Sequence, residues 1–295
     1  MSTILVSVLL SLSLIGAYSL LAVGIVSIYR ASKVLNLAHG TMAMVPAYVT
    51  FSASRWGLPV PFALLVGVAS GAGLGWLVER VFVRPLRSET VTTQTVGTVA
   101  ALGLLIPITV LLWGGTPQPA VQVFPVKSFE LSGGFIRLGQ LGLFVVMMVV
   151  TAALFAVFRY TDIGLIMRGT AENRRAAALM GVNPQRVTNL AWMLGGGLAG
   201  LAGILLAAVT NLSPYTLALQ ALPAFVAVLI GGLESFPGAV AGGTLVGLAY
   251  GFVPRMPVIG SRDGAAQLVV AIVAIAAMAW RGGSNLAGAE LRGTP

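Results

Sequence analysis

The chain has 295 residues, of which 57% are hydrophobic and 8% are charged, whereas about a quarter of the residues in a soluble domain are charged. It contains no cysteine, which excludes disulfides, thiol catalysis and cysteine-ligated metal sites. A net charge of +9 would suggest nucleic acid as the partner of a soluble protein, but basic residues in a membrane protein mark its cytoplasmic loops. We therefore interpret the chain as a polytopic membrane protein that binds no nucleic acid.

Nine apolar segments are long enough to cross or enter a bilayer, since a helix of about 20 residues spans the hydrocarbon. They are residues 4–28, 34–54, 59–83, 95–113, 139–158, 190–209, 217–232, 239–253 and 264–280. Segment 34–54 and the region 217–253 are weak, because prolines, glycines and polar residues interrupt them. We expect an all-α fold with about eight to ten transmembrane or re-entrant helices, a range that reflects the possibility that the weak segments are re-entrant.

Small residues and turn residues predict two local features of this fold. Three glycines at four-residue spacing in segment 59–83 predict close contact with a neighbouring helix. They are Gly67, Gly71 and Gly75. Residues 114–138 are polar and rich in proline and glycine, and their alternating valines predict a short hairpin on the outer surface.

A charged island at residues 159–189, RYTDIGLIMRGTAENRRAAALMGVNPQRVTN, separates two apolar halves of a single membrane domain, residues 4–158 and 190–280. Thr170 as an N-cap and Glu172 in the first turn predict a helix over 171–180, which Gly181 and Asn183 would end. Such a short helix is unstable alone in water and must dock on something. The residues leave two hosts open: a partner protein, or the chain's own bundle and the lipid head groups.

The distribution of basic residues predicts the orientation. With alternating segments, 12 of the 17 lysines and arginines, including the five of the island and Arg281 and Arg292 of the C-terminal tail, fall on one side. The positive-inside rule makes that side cytoplasmic. We expect the island in the cytoplasm and the hairpin and N-terminus outside.

The sequence favours transport over catalysis. It has one histidine, no Walker-type phosphate loop and no nucleophile elbow, so we expect no catalytic, metal or cofactor-binding residue. Its eight acidic residues fall mostly in loops or at segment ends, whereas ion-coupled carriers commonly bury ionisable groups in their spans. We expect a translocation pathway whose energy source lies on another chain.

Three stretches resemble the bacterial branched-chain amino acid ABC-transporter permease family, in its LivH-like subunit. The first is VLNLAHG at residues 34–40 with Tyr48, and the second is residues 168–181 with Asn183. The third is residues 231–238 with Gly242 and Gly243. The resemblance covers nearly the whole chain, with the motifs in order.

This resemblance implies roles for particular residues. The island is similar to the coupling segment that inserts into a groove on the ATPase subunit, and the matching residues are Glu172, Asn173, Ala177, Gly181 and Asn183. Asn36, His39 and Gly40 match the broken second segment and would lie near the pathway, although Asn36 and His39 would equally suit a polar cap at a helix end. Glu234 stands where the family more often has a small polar residue, and its role stays open between a turn cap and an unknown function.

The resemblance also implies partners and a substrate class. The chain would pair with a second homologous permease, two cytoplasmic ATPase subunits that bind ATP, and an extracytoplasmic binding protein, in the bacterial inner membrane. It would import leucine, isoleucine and valine by alternating access. Alternatives are a permease for urea, amides or another small solute, a secondary transporter or channel, and a membrane scaffold without transport.

Overall fold

The structure is a computed structural model that describes residues 2–124, 128–131, 134–256, 262 and 264–290. Lys127 and Arg292, two of the basic residues counted in the prediction of orientation, lie outside these residues. The helices are α1 (Ser2–Ser32), α2 (His39–Arg55), α3 (Val60–Val78), α4 (Val91–Trp113), α5 (Leu138–Tyr160), α6 (Asp162–Glu172), α7 (Arg174–Leu179), α8 (Pro184–Val209), α9 (Pro214–Leu219), α10 (Ala221–Gly231), α11 (Phe236–Phe252) and α12 (Ala265–Glu290). Strands β1 (Ser128–Leu131) and β2 (Gly134–Arg137) pair antiparallel. A hairpin therefore lies within residues 114–138 as predicted, but Val121 and Val123, on which the prediction rested, are not part of its strands.

The helices confirm an all-α polytopic membrane fold. Among the described residues, 7 helical stretches are long and apolar enough to cross a membrane: Ser11–Ser32, Val60–Leu86, Val91–Trp113, Leu141–Tyr160, Pro184–Val209, Pro214–Gly231 and Phe236–Arg255. The stretch Val60–Leu86 consists of α3, a π-helical turn (Glu79–Val83) and a 3₁₀ turn (Arg84–Leu86). Helix α2, with 17 residues, and the apolar stretch Ala265–Ala279 of α12 are shorter.

Helices α1 and α8 form the centre of the bundle. Buried residues make up 89% of the membrane-length window of α1 and 72% of that of α8, against 17% for α4, which therefore lies at the periphery. Helix α1 packs against α11, α8, α5 and α10, and α8 packs against α3, α1 and α2. Helices α3, α4 and α5 carry exposed apolar side chains, among them Leu65, Leu111 and Val149, as is typical of lipid-facing helices.

Glycines set the contact between α3 and α8. A Cβ added at Gly75 would overlap the carbonyl oxygen of Trp192, and one added at Gly71 would lie 2.6 Å from the carbonyl oxygen of Gly196. A Cβ at Gly67 would overlap the Thr50 hydroxyl of α2. The glycine spacing read from the sequence thus allows backbone-to-backbone packing in a medium where apolar burial alone cannot hold helices together.

Both weak segments are broken in the structure. In the first, residues 33–36 are not helical and α2 begins only at His39. In the second, α9 and α10 are separated at Gln220, three residues before Pro223. Breaks of this kind are tolerated at membrane depth where protein surrounds them, and Asn36 and Ala38 in the first break are indeed buried.

Candidate functional site

The basic side chains gather at one end of the bundle. Arg30, Lys33, Arg87 and Arg174 line a single cleft where α1 ends and α4 begins. We call this the basic end. The hairpin end is the opposite one, where Gln118 beyond α4 forms an antiparallel bridge with Leu212 beyond α8.

The island folds into two helices, not one, before it enters α8. Thr161 caps α6, with its hydroxyl accepting from the Gly164 amide, and Asn173 caps α7 by accepting from the Ala176 amide at 3.0 Å. The expectation of one helix over 171–180 capped by Thr170 was wrong. Thr170 is fully buried inside α6, and the backbone turns at Asn173 instead.

A tight turn joins α7 to α8. Gly181 has φ +84°, a left-handed conformation that costs a residue with a Cβ about 1 kcal/mol or more. Asn183 then caps α8 by accepting from the Gln185 amide at 3.0 Å and the Arg186 amide at 3.3 Å. The predicted residues Asn173, Gly181 and Asn183 therefore shape this turn, while Glu172 is exposed and Ala177 is half-buried.

The turn presents an apolar tip that sequence reasoning missed. Leu179 is 89% exposed and Met180 is 84% exposed, at the point farthest along α7. We call these two residues the tip. Local sequence gives no signal that distinguishes them from the buried leucines of the chain, because exposure depends on where α7 projects. The tip is therefore a candidate interaction site.

A buried carboxylate attaches the root of the island to α3. Glu79, with 0% exposure, accepts from Arg87 Nη2 at 2.9 Å and from Gln185 Nε2 at 3.0 Å. The Asn189 side-chain nitrogen, in the amide orientation that faces it toward acceptors, donates to Glu79 Oε2 at 3.0 Å. Glu79 thus ties the first turns of α8 to the end of α3, a role that its sequence position at the end of an apolar segment did not reveal.

Glu234 forms an exposed ion pair across the basic end. Its carboxylate accepts from Lys33 Nζ, and the two side chains are 62% and 43% exposed. The bond to Lys33 and its charge lower the pKa of Glu234. The turn at this position is instead capped by Ser235, whose hydroxyl accepts from the Gly238 amide at 3.0 Å.

The predicted pathway residues lie inside the bundle. Asn36 is 1% exposed, and its Oδ1 accepts from the Ala38 amide at 3.1 Å to close the turn before α2. His39 is fully buried against α1, where a Cβ at Gly24 would lie 3.0 Å from its Nε2. A Cβ at Gly40 would overlap the Ala218 carbonyl oxygen, so the start of α2 touches the end of α9. The two broken segments therefore meet each other.

Polar groups and a cleft adjoin the second break. Gln220 Oε1 accepts from the Tyr18 hydroxyl at 2.7 Å, and Tyr48 on α2 donates to the Leu212 carbonyl oxygen at 3.2 Å. Beside Gln220, a mostly apolar cleft of about 410 Å³ extends to Tyr250 and Gln267. Apolar walls with a few placed polar groups are typical of small-solute sites.

The site consists of capped helix ends, exposed apolar side chains and buried polar groups. Within the described part of the chain, no group of three or more His, Cys, Asp or Glu residues could hold a metal ion. Fold and site define a multi-pass membrane protein that has an apolar tip on its basic end and two broken helices meeting in its interior.

Comparison with known proteins identifies the family. The profile described as "Branched-chain amino acid transport system / permease component" matches residues 7–280. The chain belongs to this family of membrane permease components.

Curated relatives match most of its length. It is 30% identical over 251 residues to the high-affinity branched-chain amino acid transport system permease protein LivH of Salmonella typhimurium, covering 79% of this chain and 80% of the relative. It is 29% identical over 254 residues to BraD of Pseudomonas aeruginosa, covering 80% and 82%. The fructose import permease protein FruF of Bifidobacterium longum is 25% identical over 241 residues, covering 80% and 64%. No solved structure matches.

Proposed function

We propose that the chain is the membrane-spanning permease subunit of an ATP-driven importer for leucine, isoleucine and valine in the bacterial inner membrane. The observation that carries this proposal is the tip, Leu179 and Met180, exposed at the basic end. Burying a leucine or a methionine contributes about 1.5–3 kcal/mol each, so a groove on a partner would gain several kcal/mol from the tip. Family membership and the named functions of LivH and BraD support the substrate class.

The partner would be a pair of ATPase subunits on the cytoplasmic side. The positive-inside rule assigns the basic end to the cytoplasm, and the chain carries no phosphate loop of its own. A second homologous permease and an extracytoplasmic binding protein would complete the importer. Glu172, Asn173, Ala177, Gly181 and Asn183 would hold or contact the ATPase groove around the tip.

The contacts of α7 and α8 provide a route for transmission. Asn183 links the turn rigidly to α8, and Glu79 links the first turns of α8 to α3. When ATP closes the ATPase subunits, a displacement of the tip would pass to α8, α3 and the central bundle. The broken segments at Asn36–Gly40 and Gln220 would rearrange around the solute in alternating access.

Variants of the tip test the coupling. We expect the double variant Leu179→Ser, Met180→Ser to lower co-purification with the ATPase and ATP-dependent leucine uptake by at least about tenfold. The loss of either buried side chain would by itself weaken the affinity for the ATPase by about tenfold or more. Glu172→Arg and Gly181→Trp are expected to act in the same direction. Leu58→Ser is the matched control, because Leu58 is 37% exposed at the hairpin end.

Leu179, Met180 and Glu172 are exposed, so the tip variant and Glu172→Arg should retain the unfolding transition of the wild type. Gly181→Trp should lower the stability by about 1 kcal/mol or more, because Gly181 has a positive φ. Undiminished assembly and uptake in the tip variant, Glu172→Arg and Gly181→Trp would contradict the coupling role. Uptake that persists without any ATPase subunit would instead indicate a secondary transporter or channel.

A permease for another small solute is the second candidate. It is favoured by the similarity to FruF, which is named as a fructose import permease. Uptake of labelled leucine and labelled fructose, in cells that express the chain with its neighbouring genes, separates the two. Saturable uptake of leucine and not fructose would support the branched-chain amino acid assignment.

A further inference from the structure

The cleft at the basic end is separate from the tip. It has a volume of about 460 Å³ and lies between the end of α1, the first turns of α4, the junction of α6 and α7, and α8. Its lining includes four cationic side chains, Arg30, Lys33, Arg87 and Arg174, and three hydroxyl side chains, Ser32, Thr170 and Thr188. Leu179 and Met180 do not line it.

The cleft carries an excess of positive charge. Lys33 and Arg87 each pair with a carboxylate, whereas Arg30 and Arg174 have no carboxylate at ion-pair distance within the described part of the chain. No acidic residue is among the described residues that line the cleft. Burial lowers the pKa of Arg87 and the charge of Arg174 lowers it further, while Glu79 raises it. Two arginines without a carboxylate partner therefore line the same cleft.

A buried hydroxyl in the wall lacks a partner. Thr170 is 0% exposed and its Oγ1 makes no hydrogen bond. Several other helical threonines of this chain donate back to a carbonyl of the preceding turn, as Thr188 does to Pro184 at 3.0 Å. An unsatisfied buried hydroxyl costs about 1–3 kcal/mol, so the position of Thr170 is accounted for if a ligand accepts a hydrogen bond from it.

A hydroxyl of α8 contacts one of these guanidinium groups. Arg174 is exposed, and its Nη2 donates to the Thr188 hydroxyl at 3.4 Å, which holds the end of the side chain at the cleft. The guanidinium of Arg30 lies 5.0 Å from the centre of the Phe236 ring and is oriented by this cation–π contact. The cationic groups are thus positioned before any ligand arrives.

We propose that this cleft binds a phosphate group, through Arg174, Arg30 and the Thr170 hydroxyl. Guanidinium groups and hydroxyl donors match the tetrahedral oxygens of phosphate, and basic pockets between membrane helices accept lipid head groups. The head group of an anionic lipid and free inorganic phosphate share this chemistry. Bound phosphate would fix the junction of α6 and α7 against α1. The binding test does not depend on the proposed transport function.

The experiment uses the full-length chain, purified in detergent and depleted of lipid. Native mass spectrometry with phosphatidylglycerol and with phosphatidylcholine forms the lipid arm. Thermal unfolding in sodium phosphate and in sodium chloride of equal ionic strength forms the soluble arm. We expect binding of phosphatidylglycerol over phosphatidylcholine, stabilisation by phosphate over chloride, or both.

Two variants and one control locate the site. Arg174→Gln is expected to weaken the observed binding by about tenfold or more, since it removes a charged hydrogen-bond donor. Thr170→Val should weaken it severalfold while leaving the unliganded protein as stable as the wild type or more so, because it removes an unpaired hydroxyl. Arg175→Gln is the control. Arg175 follows Arg174 directly in the sequence, is exposed and does not line the cleft, so this variant should bind like the wild type.

The two arms distinguish the sources. A response in the lipid arm alone identifies a lipid head group, and a response in the soluble arm alone identifies free phosphate. Equal binding by Arg174→Gln, Thr170→Val and Arg175→Gln would overturn the proposal. So would the absence of a response in both arms, which would leave an acidic segment of a partner protein as the occupant.

Discussion

The carboxylate of Glu79 holds α3, the following turn and α8 together, and replacing it with glutamine tests this role. Glu79→Gln keeps the shape of the side chain but removes its charge. It therefore weakens the bonds from Arg87 at 2.9 Å and Gln185 at 3.0 Å. Hydrogen bonds to a charged group contribute about 1.5–3 kcal/mol each, and breaking a buried ion pair costs about 3–5 kcal/mol.

Two features of the structure reduce the expected loss of stability. The Arg87 side chain is 33% exposed and its charge is partly screened by solvent, and the glutamine amide still offers one acceptor oxygen. We therefore expect Glu79→Gln to lower the free energy of unfolding by about 2–3 kcal/mol. Equilibrium unfolding in mixed detergent, followed by tryptophan fluorescence, measures this change. Trp192 on α8 is 0% exposed and reports on the helix that Glu79 anchors.

Glu89→Gln is the control, since Glu89 follows the same turn, is exposed and forms no ion pair among the described side chains. It should change the free energy of unfolding by less than about 0.5 kcal/mol. In the double variant Glu79→Gln, Arg87→Gln the two losses should be less than additive, because the second change removes the unpaired cation. A loss below about 0.5 kcal/mol for Glu79→Gln would refute the anchoring role.

Two further predictions concern packing and pH. Gly75→Ala should lower the free energy of unfolding by more than about 2 kcal/mol, because its Cβ would overlap backbone of α8. Gly73→Ala, on the same helix with no atom within 4 Å of the new Cβ, should be neutral or stabilising by up to about 1 kcal/mol. Unfolding of the two variants side by side checks this contrast. Glu234→Gln should cost at most about 1 kcal/mol, since water screens its pair with Lys33. Lys33 lowers the pKa of Glu234 in the folded state. The contribution of the pair is therefore complete above the unfolded-state pKa of about 4.3 and is lost as the pH falls through the lowered folded-state value. The stability difference between wild type and Glu234→Gln, measured from neutral to acid pH, should vanish in that window.

Local signals explain what could be predicted from the chain alone. A membrane span is recognised by the length of an apolar run, which needs no knowledge of neighbours, and segments such as 95–113 and 139–158 correspond to α4 and α5. The spacing of Gly67, Gly71 and Gly75 indicated a close contact, although it did not identify α8 and α2 as the helices in contact. The charged island was evident from composition.

The inner geometry of the island required tertiary structure. Thr170 and Asn173 are both good cap residues by type, and local sequence could not choose between them. Burial of Thr170 in α6 leaves Asn173 as the cap of α7, which in turn decides where Leu179 and Met180 project. Exposure of these two residues follows from the direction of a helix, not from their own hydrophobicity.

The sequence by itself determined the membrane class, the number and order of the apolar segments, and the island between the two halves, because each depends on hydrophobicity and charge summed along the chain. Tertiary structure alone decided that Glu79 meets Gln185, 106 residues further on, and that the two broken segments touch at Gly40 and Ala218. It also decided that Thr170 joins Arg30 and Arg174 in one cleft. These contacts join residues distant in sequence, and only the packing of whole helices brings such residues together.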